Sequence, residues 1–168
     1  MSYGALSGPA IEALSMGAAT SGVWLNTGEG GLSPFHQTAA CDLVFQIGTA
    51  KYGVRDDDGN LDIEKITGLA AIPQVKMFEI KLSQGAKPGK GGILPAEKVT
   101  DLIATTRGIP AGEDSISPNR HPEGTDADSL LDLIDRVRTA SGKPTGIKLV
   151  LGQTAWLDDF CEAIHARG

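Results

Sequence analysis

Gln74-Val75-Lys76-Met77-Phe78-Glu79-Ile80-Lys81-Leu82 runs directly into Ser83-Gln84-Gly85-Ala86-Lys87-Pro88-Gly89-Lys90-Gly91-Gly92. The first nine residues read as a strand, with Val75, Met77, Phe78, Ile80 and Leu82 supplying the apolar side chains. The ten that follow punctuate it, because glycine and proline break regular structure. A strand that ends in a glycine-rich loop is where α/β proteins bind phosphorylated cofactors and anionic substrates, since glycine lets the backbone approach a ligand closely. A second pair of this kind lies upstream. Gly22-Val23-Trp24-Leu25-Asn26 reads as a short buried strand, and Asn26-Thr27-Gly28-Glu29-Gly30-Gly31 follows it.

Outward from these two pairs, strands and helices alternate. Gly146 to Leu151 is a clear strand and Asp114 to Ser117 a weak one before Pro118. Tyr3-Gly4-Ala5-Leu6 reads as the end of another strand, and Asp42 to Ile47 is a short apolar run of either type. Helices fill the gaps. Pro9 sits in a first turn after Ser7, with Ile11, Leu14 and Ala18 on one face. Residues 62–71 group Ile63, Ile66 and Ala70. Pro95 opens a helix with Val99, Leu102 and Ile103 inward. Thr125 or Asp126 caps a helix carrying Leu130, Leu133, Ile134 and Val137. The last helix, about 154–166, carries Trp156, Phe160 and Ile164. No repeat or linker interrupts this order, so residues 1–168 form a single domain.

Alternating elements imply an α/β protein with a parallel sheet and right-handed crossovers. Two architectures remain: a flavodoxin-like open sheet, or a partial (β/α)8 TIM barrel of about five to six strands, a complete barrel needing about 250 residues. Composition and periodicity do not choose between them. The 168 residues are 40% hydrophobic and 21% charged, with a formal net charge of −6. That suffices for one real core. The acidic balance, with no basic stripe, argues against nucleic acid. No amino-terminal signal and no apolar run of about 18 residues appears, so no membrane partner is expected and a cytoplasmic location is the simplest reading. Cys41 and Cys161 read as buried free thiols, and the three histidines and two cysteines have no metal-ligand spacing.

The candidate chemistry lies in the charged residues near the strand ends. Glu29, flanked by glycines, presents its carboxylate to solvent or ligand, while Asn26 and Thr27 can bond the local backbone. Lys81 stands near the end of a buried strand, which calls for an anionic partner. Lys87 and Lys90 can hold carboxylates or phosphates, or sit in a solvated loop. Lys148 lies inside an apolar strand, where it needs either a carboxylate or a cofactor that becomes anionic, such as a reduced flavin. His121 follows a strand and is either a substrate contact or an exposed loop residue. No GxSxG elbow or Walker sequence is present.

Together SYGALS (2–7), NTGEGG (26–31), QIGTAKYGV (46–54), EIKLSQGAKPGKGG (79–92), LPAEKV (94–99), ISP (116–118) and GIKLV (146–150) resemble the FMN-binding synthase domain of the glutamate synthase family. The shorter FMN-binding members are most similar, including N-methylglutamate synthase-like subunits. The resemblance implies a (β/α)8 barrel with FMN at the strands' carboxyl ends. It implies an FMN-dependent oxidoreductase in which the reduced flavin delivers a hydride to 2-iminoglutarate, formed from 2-oxoglutarate and ammonia, or methylamine in the related enzymes. Carried over by position, Ala5, Ser7, Gln84 and Lys148 are the cofactor-binding set. Lys87, Arg107 and Glu29 face the oxoacid, with Lys87 and Glu29 as the catalytic pair.

Departures from the family pattern carry expectations of their own. Lys90 stands where the large enzymes have glutamate, and Ile93 where they have glutamine, which removes a candidate oxoacid contact. The family's glycine-rich phosphate loop, and the cysteines that hold an iron–sulfur cluster in the large enzymes, belong to a carboxyl-terminal part outside these residues. Weakened FMN binding and exposed sheet edges are therefore expected, and with them a protein partner: the remainder of the barrel or a second copy. A non-catalytic assembly subunit is the rival reading. A flavodoxin-like electron carrier is a third, disfavoured because Ser7-Gly8-Pro9 is too short for a phosphate loop.

Overall fold

The strand predicted at 74–82 forms as β3 (Val75–Lys81) and occupies an inner position of the sheet. The computed structural model describes residues 1–87 and 89–168; Pro88, in the second glycine run, lies outside them. Upstream come α1 (Gly8–Ser21), β1 (Leu25–Asn26), β2 (Leu43–Ile47) and α2 (Ile63–Ala70). Downstream come β4 (Ile93–Leu94), α3 (Asp101–Arg107), β5 (Ser115–Ile116), α4 (Ala127–Ser141), β6 (Thr145–Lys148) and α5 (Ala155–Arg167). Four parallel strands pair in the order β1-β2-β3-β6. The apolar run of undecided type is thus a strand, β2, and every residue in it is buried.

The sheet has two unlike faces because side chains alternate along a strand. Phe45, Ile47, Phe78 and Ile80 belong to the main core, which also takes Ile66 of α2 and Leu133 and Val137 of α4. Gln46, Glu79 and Lys81 alternate with those core residues and so emerge on the other face. Register sets Gln46 beside Glu79 and Lys81 beside Lys148. The helices end where their chemistry says they should. Asp126 caps α4, its carboxylate accepting from the Ser129 N–H at 2.8 Å. Gly22, Gly108 and Gly142 close α1, α3 and α4 in the left-handed region.

Several expectations are corrected. Residues 3–6 form a turn, with the Ala5 and Leu6 N–H groups both donating to the Ser2 carbonyl. The strand expected over 22–26 is only Leu25–Asn26; Gly22 caps α1, and Trp24 is 65% exposed. The weak strand near 114–117 does not join the parallel sheet. It pairs antiparallel with β4, so the described residues form four parallel strands plus a separate pair. Pro95 precedes a 3-10 turn, and α3 starts six residues later behind its own cap, Thr100, whose hydroxyl accepts from the Ile103 N–H. Leu14, Ile63, Leu102 and Ile164 face outward, and Ser15 replaces Leu14 on the buried face of α1. Cys41 is buried as expected, whereas Cys161 is exposed on α5. No described helix is long and apolar enough to cross a membrane.

Candidate functional site

The carboxyl ends of β1, β2, β3 and β6 open onto a cavity of about 600 Å³. Asn26, Gln46, Glu79, Lys81 and Lys148 line it from the strands, and Glu29 and Gln84 from the two glycine runs. Those loops are anchored by their own backbone chemistry. The Gly28 N–H donates to the Asn26 Oδ1 at 2.8 Å, and the Thr27 hydroxyl accepts from the Gln46 N–H at 3.0 Å. This is the local role expected of Asn26 and Thr27. Asn26 adds a second one by donating through Nδ2 to the Glu79 carboxylate at 2.9 Å.

Two hydrogen-bonded clusters result. In the first, Lys81 Nζ lies 3.2 Å from Glu29 Oε1 and donates to Gln84 Oε1 at 2.9 Å; Gln84 Nε2 donates to the same Glu29 oxygen at 2.6 Å. Their side chains are mostly buried, at 14% exposure for Lys81 and 19% for Glu29. In the second, Asn26 and Gln46 converge on Glu79 Oε1. Lys81 has the anionic partner that its position demanded, but that partner is Glu29.

Lys148 differs from its expected setting. It is the last residue of β6 and exposed, not enclosed in an apolar strand, and no described carboxylate pairs with it. It stands beside Lys81 on the neighbouring strand. Arg107, the last residue of α3, is only 7% exposed. Its guanidinium lies 4.8 Å over the Tyr52 ring, donates to the Ser115 hydroxyl at 2.8 Å and reaches the Tyr3 carbonyl at 3.4 Å. Burial lowers its pKa from the usual arginine value, with Tyr52 and Glu29 pulling the other way. Lys81, Lys87, Arg107 and Lys148 thus set four cations against the two carboxylates of Glu29 and Glu79.

Of the residues singled out in the sequence, Ala5, Glu29, Gln84, Lys87, Arg107 and Lys148 all line this cavity. Ser7 does not; it caps α1 with its backbone, its carbonyl accepting from the Ile11 N–H. Lys90 is exposed and off the lining. His121 is buried, not an exposed loop residue: its Nε2 donates to the Lys81 carbonyl at 2.9 Å, tethering the segment after β5 to the end of β3. Near it, Lys51 and Glu123 form an ion pair at 2.8 Å outside the cavity lining. No group of three or more described His, Cys, Asp or Glu side chains is placed to hold a metal.

Sequence reading missed Gln46, Tyr52, Glu79 and Ser117, all of which line the cavity. Glu79 was recoverable. It sits two residues before Lys81 on a strand, hence on the same face. Tyr52 and Ser117 carried no periodic signal, because each lies in a segment whose course depends on tertiary contacts.

The chain matches a family model described as "Conserved region in glutamate synthase" over residues 1–160. It is 40% identical over 169 residues to the glutamate synthase large subunit-like protein YerD of Bacillus subtilis, covering 100% of this chain and 32% of that protein. It is 40% identical over 151 residues to an archaeal-type glutamate synthase (NADPH) of Thermotoga maritima, covering 89% of this chain and 27% of that protein. An archaeal glutamate synthase (NADPH) of Archaeoglobus fulgidus is 38% identical over 151 residues, with the same coverage of 89% and 27%. The chain spans about a third or less of the length of these relatives.

Proposed function

This chain belongs to the glutamate synthase family, and from that premise we propose that it forms the flavin- and oxoacid-binding part of a glutamate-forming oxidoreductase, built as part of a (β/α)8 barrel. Parallel strands with helices packed on one face, and a polar cavity at their carboxyl ends, support the barrel reading. The observation that carries the function is the cation excess: four cationic side chains against two carboxylates, within a chain whose formal net charge is −6. A cavity so charged favours an anionic ligand.

The residues present fit a flavin ring. A volume of about 600 Å³ lies in the range of small-molecule sites. Gly92 keeps one wall flat, for a Cβ there would stand 3.5 Å from Gln84 Nε2, Glu29 Oε1 and Ser117 Oγ. Lys148 and Gln84 would hold the ring of FMN, with Ala5 beside it. FMN bound there, once reduced by an external two-electron donor, would supply the hydride that, together with one proton from solvent, converts 2-iminoglutarate, formed from 2-oxoglutarate and ammonia with loss of water, into glutamate. Arg107 and Lys87 would each take an oxoacid carboxylate through charge-assisted bonds. Glu29, already held by Lys81 and Gln84, would orient the substrate by hydrogen bonding.

Titration of the purified chain with FMN, followed by quenching of flavin fluorescence, tests the assignment. Saturable quenching is expected, weakened about tenfold in Lys148→Ala, equivalent to about 1.4 kcal/mol. A chain that takes up no FMN at millimolar concentration would sink the flavin reading.

A further inference from the structure

We infer that Tyr52 and Ser115 are positioning residues that hold Arg107 as a preset receptor for a pair of anionic ligand oxygens. This deepens the oxoacid reading of the cavity and rests on it for the identity of the ligand.

The buried cations are unevenly matched with carboxylates. Lys81 and Lys51 are buried cations with carboxylate partners, Glu29 and Glu123. Arg107 is equally buried, yet no described carboxylate lies within ion-pair distance of it, and its Nε is buried with no hydrogen-bond partner. A buried charge without a counterion is costly and persists only where its surroundings impose it.

Those surroundings are neutral and directional. A guanidinium can only donate. The Ser115 oxygen therefore accepts from Arg107, and the Ser115 hydrogen goes to the Tyr52 oxygen, 2.6 Å away. The Tyr52 ring meanwhile lies under the guanidinium carbon at 4.8 Å. Stacking fixes the tilt of the guanidinium, and the bond to Ser115 fixes its rotation. Neither support neutralises the charge. Tyr52 comes from the segment after β2, Ser115 from β5 and Arg107 from the end of α3, so only the folded chain assembles the set. A planar fork held rigid and left unneutralised matches the two oxygens of a carboxylate.

Isothermal titration of the full chain with 2-oxoglutarate, and separately with sodium sulfate, tests the inference. Wild type should bind, and Arg107→Gln should lose about 100-fold, as expected for charge-assisted bonds. Tyr52→Phe, which keeps the stacking and removes the oxygen, should weaken binding about fivefold, as should Ser115→Ala. Ser115→Thr, which keeps the hydroxyl, should restore it. Circular dichroism confirms that each variant is folded, and a merely structural role would lower melting temperature without changing affinity. Sulfate binding with this same residue dependence, and none by 2-oxoglutarate, would uphold the positioning role and remove the oxoacid reading. Equal 2-oxoglutarate binding by wild type and folded Tyr52→Phe and Ser115→Ala would keep the oxoacid reading and overturn the inference. Failure of wild type to bind either anion would overturn it as well.

Discussion

Lys81 and Arg107 are cations of one cavity, but only Lys81 carries its own counterion. The difference predicts opposite responses to truncation. Lys81→Met leaves Glu29 mostly buried with only the Gln84 amide to hold it, so stability should fall by about 2 kcal/mol. Glu29→Gln leaves Lys81 in the mirror situation. The double variant leaves no stranded charge and should cost less than the sum of the two, with a coupling of about 1–3 kcal/mol in chemical denaturation. Additive costs would mean that the pair contributes nothing to the fold. This pair also shows how far a single residue can be read from sequence. A lysine at the end of a buried strand announces that it needs an anion. It does not announce which, because Glu29 lies in another loop and reaches Lys81 only through the pairing of β1, β2 and β3. Lys148 shows the converse. Its apolar neighbours suggested a strand interior, but β6 ends at Lys148 itself, so the side chain escapes burial.

Between elements, the decisive contact is where the second glycine run crosses the β4–β5 pair. A Cβ on Gly91 would overlap the Ser117 carbonyl oxygen, a backbone atom that cannot step aside. Gly91→Ala should therefore separate the run from the residues after β5. It should cost about 3 kcal/mol and displace Gly92 and Ser117 from the cavity wall. Gly17→Ala is the matched control. Gly17 is exposed inside α1, nothing lies within 4 Å of an added Cβ, and stability should rise by about 0.5–1 kcal/mol. Thermal melts of both variants check the pair. The glycine run was legible as a loop that approaches something closely; that the something is the chain's own backbone was not. The long helices and β3 were legible because each repeats its pattern over several residues. β1 and β5 have two residues each, too few to show a period, and their pairing is decided by neighbours distant in sequence.

At the scale of the molecule, composition and alternation indicated an α/β protein, and four parallel strands bear that out. The same pattern could not separate a barrel from an open sheet, since both place helices between parallel strands. Nor could it foresee that two of the three histidines would be buried. His36 is fully enclosed, with its Nδ1 accepting from the Ser33 N–H and its Nε2 donating to the Met1 carbonyl, while His121 is 2% exposed. Burial lowers both pKa values from 6.5. The sign follows from proton counting. Below pH 6.5 the unfolded chain binds protons that the folded chain still refuses, so stability falls as pH drops and is flat above that point for these two groups. The slope can reach about 1.4 kcal/mol per pH unit for each histidine. A further loss begins near the ordinary carboxylate values, where the unfolded chain takes up protons that Asp126, held by the Ser129 N–H, and Glu123 still refuse, and it is complete once these two are protonated as well. Burial pushes Glu123 up, but the bond and charge of Lys51, a backbone hydrogen bond and the neighbouring His121 together outweigh that. Burial also lowers the pKa of the amino terminus from 8.0, which brings a loss of its own as pH falls below 8, so denaturation curves between pH 8 and 5 should show a decline that steepens beneath about pH 6.5. The decline should be shallower in His36→Gln and in His121→Asn, whatever each substitution does to stability at pH 8. A wild-type curve that does not steepen between pH 6.5 and 5 would mean that both imidazoles take up protons in the folded chain as readily as in the unfolded one, and that neither burial is felt.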